Sequence, residues 1–308
     1  MAEIDAPDLS IVVAIIDGGD FLKDFLRAAL AFENAPAHEI IVPYDQTCPE
    51  VPAMKAEFPA VRFLDMGHVA TDHPVTTEAG RHELYDRRKS FGLKAARGRY
   101  LAILEDRGHP RADWARAVVD LHKETGAAVV GGAIECREPA SALNWTFYVT
   151  DFSQYGLPVR NGPATWISDV NVSYTREALE ATRDLWTERY HEPIVHEALM
   201  ARGETLWLSD RVVIFHGRPK TPLGYMIHER FHWGRLFGHI RTMTMSEGQR
   251  WKYILLSPVI PPLLWLRHGL TQRRKGRGMR YLRALPHVMV LTTAWTAGEV
   301  WGYITRRP

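Results

Sequence analysis

GRYLAILEDRGHP, residues 98–110, is the stretch on which the reading of this chain turns. Tyr100 to Leu104 is a continuous apolar run that stops abruptly at Glu105, Asp106 and Arg107. A run this short and this apolar reads as a strand buried on both faces. Open α/β sheets present ligand-binding groups at the carboxyl ends of such strands. Taken alone, the same residues also read as a strand followed by a solvated charged turn. The neighbouring segments decide between the two.

Outward from this strand the pattern alternates. Leu9–Ile16 (LSIVVAII) reads as a buried strand, Asp17-Gly18-Gly19-Asp20 as a turn, and Phe21–Phe32 as a helix with apolar residues at helical spacing. Glu39–Pro43 reads as a strand ending at Tyr44-Asp45-Gln46-Thr47, followed by a helix around Val51–Phe58 and a strand at Val61–Leu64. Glu78–Arg97 and Trp114–Glu124 read as helices, and Ala127–Ile134 as a strand. This alternation predicts parallel strands joined by right-handed crossovers in a doubly wound sheet. From Ala140 to Ser168 the pattern loosens into an aromatic stretch with Gly and Pro, which suits a substrate-binding loop region. Arg176–Asp184 and His191–Arg202 read as short helices, and Leu206–Leu208 with Val212–Phe215 as a pair of strands leading to His216.

The 308 residues suffice for one large domain, or for a domain with an appendage. A net charge of +2 gives no ground for a nucleic-acid partner. Only Cys48 and Cys136 are present, which argues against a disulfide framework or a cysteine zinc site and fits a reducing compartment. The start, MAEIDAPDLS, has acidic residues and no long apolar core, so it does not read as a signal peptide and a cytosolic location is expected.

Four landmarks resemble a family 2 glycosyltransferase of the GT-A fold, over residues 9–218. They are SIVVAIID (10–17), EIIVPYDQT (39–47), SFGLKAARGRYLAILEDR (90–107), and NVSYTREAL (171–179) continued by HEPIVHEALMARGETLWLSDRVVIFH (191–216). The resemblance implies an α/β, GT-A type Rossmann-like and mostly parallel sheet with helices on both faces, as a catalytic domain over 1–220. A C-terminal α-helical extension would cover 221–308. It also implies an inverting enzyme that moves a sugar from a nucleotide-diphosphate donor.

In that frame Asp17 and Asp45 would contact the base or ribose, Lys89 the nucleotide, Glu105 the ribose, and Asp106 the donor diphosphate. The sequence departs from the family pattern at Tyr44, where one of a pair of aspartates is lost, and at Arg107, where an aspartate would bind the divalent ion. Arginine repels a cation but can donate a fork of hydrogen bonds to a diphosphate. Two expectations stand side by side: Arg107 partly replaces the metal, or Asp106 with His109 or His216 still holds Mg²⁺ or Mn²⁺. Anchored at Gly203, the family's acidic pair falls on His191 and Glu192, with Glu192 as general base and His191 assisting it or lining the site. Trp166, Asp169 and Asn171 are candidates for contacts to donor or acceptor sugar. Trp145, Phe147, Tyr148 and Tyr155 are candidates for an acceptor platform. Ordinary structural roles compete at each position: turn-capping aspartate, solvated lysine, helix-start glutamate, strand-end histidine, core aromatic.

The last ninety residues differ in kind. Tyr225–Met245 reads as a helix mixing Arg, His and aromatics, suited to an interfacial position or to phosphate contacts by Arg235 and Arg241. Apolar segments follow at Tyr253–Leu266, broken by prolines, and at Ala284–Ile304, which is long enough to span a bilayer but carries His287 and Glu299. The loop expected between them, Arg267–Arg283, is dense in Arg and Lys. Keeping loop and catalytic domain on one side favours peripheral or monotopic attachment to the anionic cytoplasmic face of a membrane, with a lipid-linked acceptor as in envelope polysaccharide or glycolipid synthesis. The alternatives are a soluble cytoplasmic protein with a packed helical subdomain, transfer to a soluble or protein acceptor, and a sugar-nucleotide-binding scaffold without turnover. The sequence does not set the oligomeric state.

Overall fold

The computed structural model describes residues 6–243 and 245–307. Residues 1–5 of the segment read against a signal peptide, and Thr244 and Pro308, lie outside the described residues. In chain order the elements are β1 (Leu9–Ala14), α1 (Gly19–Leu30), β2 (His38–Tyr44), α2 (Val51–Met54), β3 (Val61–Asp65), α3 (Glu78–Ala95), β4 (Tyr100–Glu105) and β5 (Gly108–Pro110). Then come α4 (Trp114–Thr125), β6 (Val129–Cys136), α5 (Ala142–Phe152), β7 (Gly162–Ala164), β8 (Asn171–Thr175), α6 (Arg176–Ala181), α7 (Arg183–Trp186), α8 (Glu192–Ala201) and β9 (Leu206–His216). The chain ends in α9 (Leu223–Thr242), α10 (Glu247–Leu256), a 3-10 turn at Ser257–Val259, α11 (Ile260–Arg274) and α12 (Gly278–Thr305).

This is the expected α/β class, a mostly parallel Rossmann-like sheet flanked by helices, with further helices at the C-terminal end. The sheet order is β3-β2-β1-β4-β8-β6-β9-β5, with β7 paired to β9. β3, β2, β1 and β4 are parallel neighbours, and β6 runs the same way because β8 lies antiparallel to both β4 and β6. Every residue of β1 and β4 is buried, as continuous apolar runs require in a sheet covered on both faces. α1 follows β1 and buries Leu22, Phe25, Leu26 and Ala29, the one-sided stripe of a crossover helix.

Two expectations are corrected. β9 is one strand of eleven residues where a pair was expected, since Ser209-Asp210-Arg211 carries polarity without a turn. The stretch expected to be a substrate loop contains α5, whose N-cap Ser141 side chain accepts a hydrogen bond from the Asn144 N–H. Trp145, Phe147 and Tyr148 on α5, and Tyr155 beyond it, are all under 10% exposed. They are core packing, so no open aromatic platform exists there.

The chain divides into two compact units. The first, 6–72 with 82–135 and 155–216, holds the sheet apart from the last residue of β6, Cys136. The second comprises 73–81, 136–154 and the described residues from 217 to 307. Within it α9 and α12 touch along their backbones. A Cβ on Gly298 would stand 1.9 Å from the Phe231 carbonyl oxygen, and on Gly302, 2.2 Å from that of Arg235. Reciprocally, a Cβ on Gly234 would meet the Trp295 carbonyl and one on Gly238 the Glu299 carbonyl. Glu299, buried at the same crossing, is bound by Arg241 at 2.9 Å and by the Tyr303 hydroxyl. α5 belongs here too, with its Phe147 ring flanked by Arg218 and Arg230, each 4.0 Å from the centroid. The basic loop expected at Arg267–Arg283 is mostly helix: α11 runs to Arg274 and α12 starts at Gly278. No described helix is long and apolar enough to cross a membrane.

Candidate active site

The parallel strands β1, β2 and β4 lie side by side, so the residues that follow them share one edge of the sheet. Asp45 ends β2 almost fully buried and accepts from the Thr47 N–H at 2.8 Å, the Thr47 hydroxyl at 2.7 Å and Arg88 Nε at 2.8 Å. Burial alone would raise its pKa, but the Arg88 hydrogen bond and charge, with Thr47, hold the carboxyl below the usual range. Arg88 also donates to the Ile15 carbonyl at 2.8 Å and to Thr47 Oγ1 at 2.6 Å, and so ties the end of β1 to the end of β2.

Asp106 follows β4 and turns back over β1. Its carboxylate accepts from the N–H groups of Ile16 (2.9 Å), Asp17 (3.1 Å) and Gly18 (2.7 Å). Those are the donors a turn into a helix leaves unpaired. Burial pushes the carboxyl up to about 7, opposed by the Gly18 and Ile16 N–H groups and by Arg107. Arg107 itself faces outward and forks onto Asp17, Nε to Oδ2 at 2.7 Å and NH2 to Oδ1 at 2.8 Å. This pair is half-buried, with side-chain exposures of 16% and 22%.

Glu105 points the other way. It accepts from the Tyr85 hydroxyl at 3.2 Å and pairs with His216 Nε2 at 2.6 Å. The ion-holding role expected for Asp106 with His216 does not fit this arrangement. Asp106 spends its oxygens on main-chain N–H groups, His216 Nε2 is engaged by Glu105, and Arg107 occupies the third position of the motif. Among the described residues no group of three or more His, Cys, Asp or Glu is placed to hold a metal ion.

A second cluster is joined to the first through consecutive residues of α3. Beside Arg88, Lys89 is 1% exposed, with Nζ 2.8 Å from Asp169 Oδ2, 3.0 Å from Asp86 Oδ1 and 3.8 Å from the Tyr85 ring centroid. Burial would strip its proton, but the Asp169 and Asp86 charges more than compensate and raise its pKa. Lys89 is therefore a buried counter-ion here, where a reach toward the nucleotide was expected. Glu192 opens α8 and accepts from the Asp169 N–H at 2.8 Å. Burial, then the Asp169 charge and the hydrogen bond between the two carboxyls, hold Glu192 well above the usual carboxylate range. Asp169 moves the other way: burial would raise it, but Lys89 keeps it ionised. Two adjacent carboxyls with opposed pKa shifts are the pattern of an acid–base pair. His191 stands at the N-cap of α8 with Nδ1 3.2 Å from Asp86 Oδ2, and His82 Nδ1 lies 3.3 Å from the same oxygen. Burial lowers the His191 pKa, against the pull of Asp86. On the buried side of α8, His196 Nε2 meets the Tyr174 hydroxyl at 2.7 Å, and Tyr174 bonds Tyr190.

Two further candidates separate. Trp166 is 50% exposed between β7 and β8, free to face a ligand. Asn171 is corrected from a sugar contact to a core pin: its amide donates to the Ala133 and Val212 carbonyls and accepts from Trp114 Nε1. Gly132 lets that pin form, since a Cβ there would stand 1.8 Å from the Val212 oxygen. Missed by the sequence reading were Arg88, Asp86, Tyr85 and His82. The available signal was α3 itself, a crossover helix with charges where an apolar stripe belongs.

No protein-family model matches the chain, and no curated protein matches it. Among solved structures it is similar to the mannosyltransferase PcManGT from Pyrobaculum calidifontis in complex with GDP-Man and Mn²⁺. The TM-score is 0.52 at 12% identity, over 98% of this chain and 88% of that one. At that identity the likeness is one of fold.

Proposed function

We propose that this chain is an inverting glycosyltransferase that takes a sugar from a nucleotide-diphosphate donor. The observation that carries the reading is the strand-end cluster of Asp17, Asp45 and Arg107 linked through Arg88-Lys89 to the carboxyl pair Asp169–Glu192. A fold shared with a mannosyltransferase that binds GDP-Man supports it. In this reading Asp17 contacts the base or ribose, while Asp45, buried and held by Arg88 and Thr47, shapes the strand end beside it. Arg107 uses two of its five donors on Asp17, which leaves donors for the diphosphate. The neighbour carries Mn²⁺; here the guanidinium of Arg107 takes the charge-neutralising role on the leaving group.

Glu192, its carboxyl held well above the usual range by burial and Asp169, accepts the proton of the acceptor hydroxyl once it is ionised. That oxygen attacks the anomeric carbon as the bond to the diphosphate breaks, with inversion. His191 and Trp166 line the acceptor side. The acceptor is proposed to be lipid-linked, met at the cytoplasmic face of a membrane. The exposed apolar residues Trp251, Leu255, Leu256, Val259, Leu263 and Leu266 around α10 and α11 motivate this, together with the arginines that follow.

Transfer or donor hydrolysis is measured with UDP-, GDP- and dTDP-sugars, with and without chelator. Glu192→Gln is expected to abolish turnover while nucleotide binding, read as a rise in Tm, persists. Because Glu192 titrates above the ordinary range, the acid limb of the rate profile lies at correspondingly high pH. Chelation is expected to leave the rate intact; strict Mn²⁺ dependence overturns the role given to Arg107. Nucleotide binding with no turnover across a broad acceptor panel favours the scaffold reading.

A further inference from the structure

Within the second unit, one face of α9 gathers cations without matching carboxylates. His228, His232, Arg235 and His239 fall at i, i+4, i+7 and i+11, a single helical stripe. The His228 and His232 rings lie tilted against each other with centroids 4.2 Å apart. After burial, His228 and Arg235 are the main causes that lower the His232 pKa, with Arg81 adding to them. His239 is lowered by burial first and then by His73 and Arg235, while a hydrogen bond to the Arg306 backbone opposes the shift. The segment 73–81 thus brings two more cationic or ionisable groups against the stripe, and it belongs to the same compact unit.

The one carboxylate named among these influences, Glu78, is already engaged by Arg81. Among the described residues no carboxylate pairs with Arg235. Its Nε and His239 Nδ1, one helical turn apart, are buried polar atoms without a hydrogen-bond partner. Orphaned polar atoms of this kind cost stability unless a partner is supplied; Arg235 Nε is a donor as it stands, and His239 Nδ1 becomes one on protonation. His228 is exposed and His232, Arg235 and His239 are half-buried, so the face is open to a ligand.

We infer that this face of α9 is a binding site for a phosphate or diphosphate group, centred on Arg235 with His232 and His239. An oxyanion accepts from the free guanidinium edge and from imidazoles that protonate as it binds, which relieves their mutual repulsion. The ligand comes either from a free phosphate or from the headgroup of a phosphorylated lipid. Its assignment to the acceptor rests on the proposed glycosyl transfer; phosphate binding itself does not.

The full chain is titrated with inorganic phosphate, with pyrophosphate, and with phosphatidylcholine vesicles with or without a polyprenyl phosphate. Imidazole C–H resonances and calorimetry are followed, with no sugar nucleotide present. Expected are shifts confined to His228, His232, His239 and His73, a raised pKa for His232, and affinity about tenfold lower in Arg235→Gln. Arg235→Lys should recover part of the affinity. Lys252→Gln removes an exposed cation elsewhere in the unit and should bind as the parent does. Saturation by the soluble anions identifies a free-phosphate site, and response to the polyprenyl vesicles alone identifies a lipid phosphate. No histidine shift with any probe, or equal loss in Arg235→Gln and Lys252→Gln, overturns the site. Donor binding and turnover in the same variants report separately on the proposed reaction.

Discussion

The strand-end cluster and the α9–α12 crossing are both tightly buried, but they reach that state by opposite means. At the cluster, charges go inside and each is met: Asp45 by Arg88, Lys89 by Asp86 and Asp169, Asp106 by three main-chain N–H groups. At the crossing, side chains are deleted, and four glycines let one backbone lie on the other. Buried ion pairs contribute little net stability, yet are costly to break. A site can therefore keep them for what they position. The glycine contact holds no charge of its own and works by packing, with the backbone of Arg235 and His239 at its edge.

The comparison breaks most readily at Arg88. Arg88→Ala leaves Asp45 as a buried anion and is expected to cost about 3–5 kcal/mol in chemical denaturation. A loss under ~1 kcal/mol would mean that water replaces the guanidinium and the cluster is looser than it looks. Next is Gly298→Ala, whose methyl has no room against the Phe231 carbonyl; a loss of about 3 kcal/mol is expected. Hydrogen exchange should show that loss in α9 and α12 while β1 and β4 keep their protection.

Acid gives a smaller and graded effect. Burial lowers His122 and His196 in the first unit and His268 in the second to about 4. Their folded pKa lies below the unfolded value near 6.5, so the stability they permit is complete above that pH and is lost as pH falls toward 4. At pH 5.5 each should cost about 1 kcal/mol, visible as a falling Tm that His122→Gln partly flattens. Smallest is Leu263→Gln on the exposed face of α11, expected to stay within about 0.5 kcal/mol of the parent. Its value lies in a second readout: reduced partitioning onto anionic vesicles supports the proposed membrane contact, and unchanged partitioning removes that face from it.

The strands of the first unit were legible because a doubly buried strand is dominated by apolar residues, as in LSIVVA and YLAILE. β8 was not, since NVSYT is short and mixed, and its antiparallel insertion between β4 and β6 is set by long-range pairing. α5 was hidden by its aromatic composition, which looks like a binding loop until both of its sides are seen to be covered. At the site, residue types and positions on strand ends could be read, but partners could not. Asp106 and Asn171 carry the chemistry of ligand contacts and spend it on the protein's own backbone. Arg88 sits next to Lys89 in sequence, and nothing local tells which of the two meets the carboxylate of β2.

The four glycines of α9 and α12 also set what the second unit can do mechanically. Their contacts advance together along both helices, so the pair behaves like a short rack with two teeth. Sliding one helix past the other by a turn, about 5.4 Å, would leave only one glycine of each helix facing a carbonyl and set a residue with a side chain where the other had been. Shear along this pair is opposed, which favours moving the two helices together.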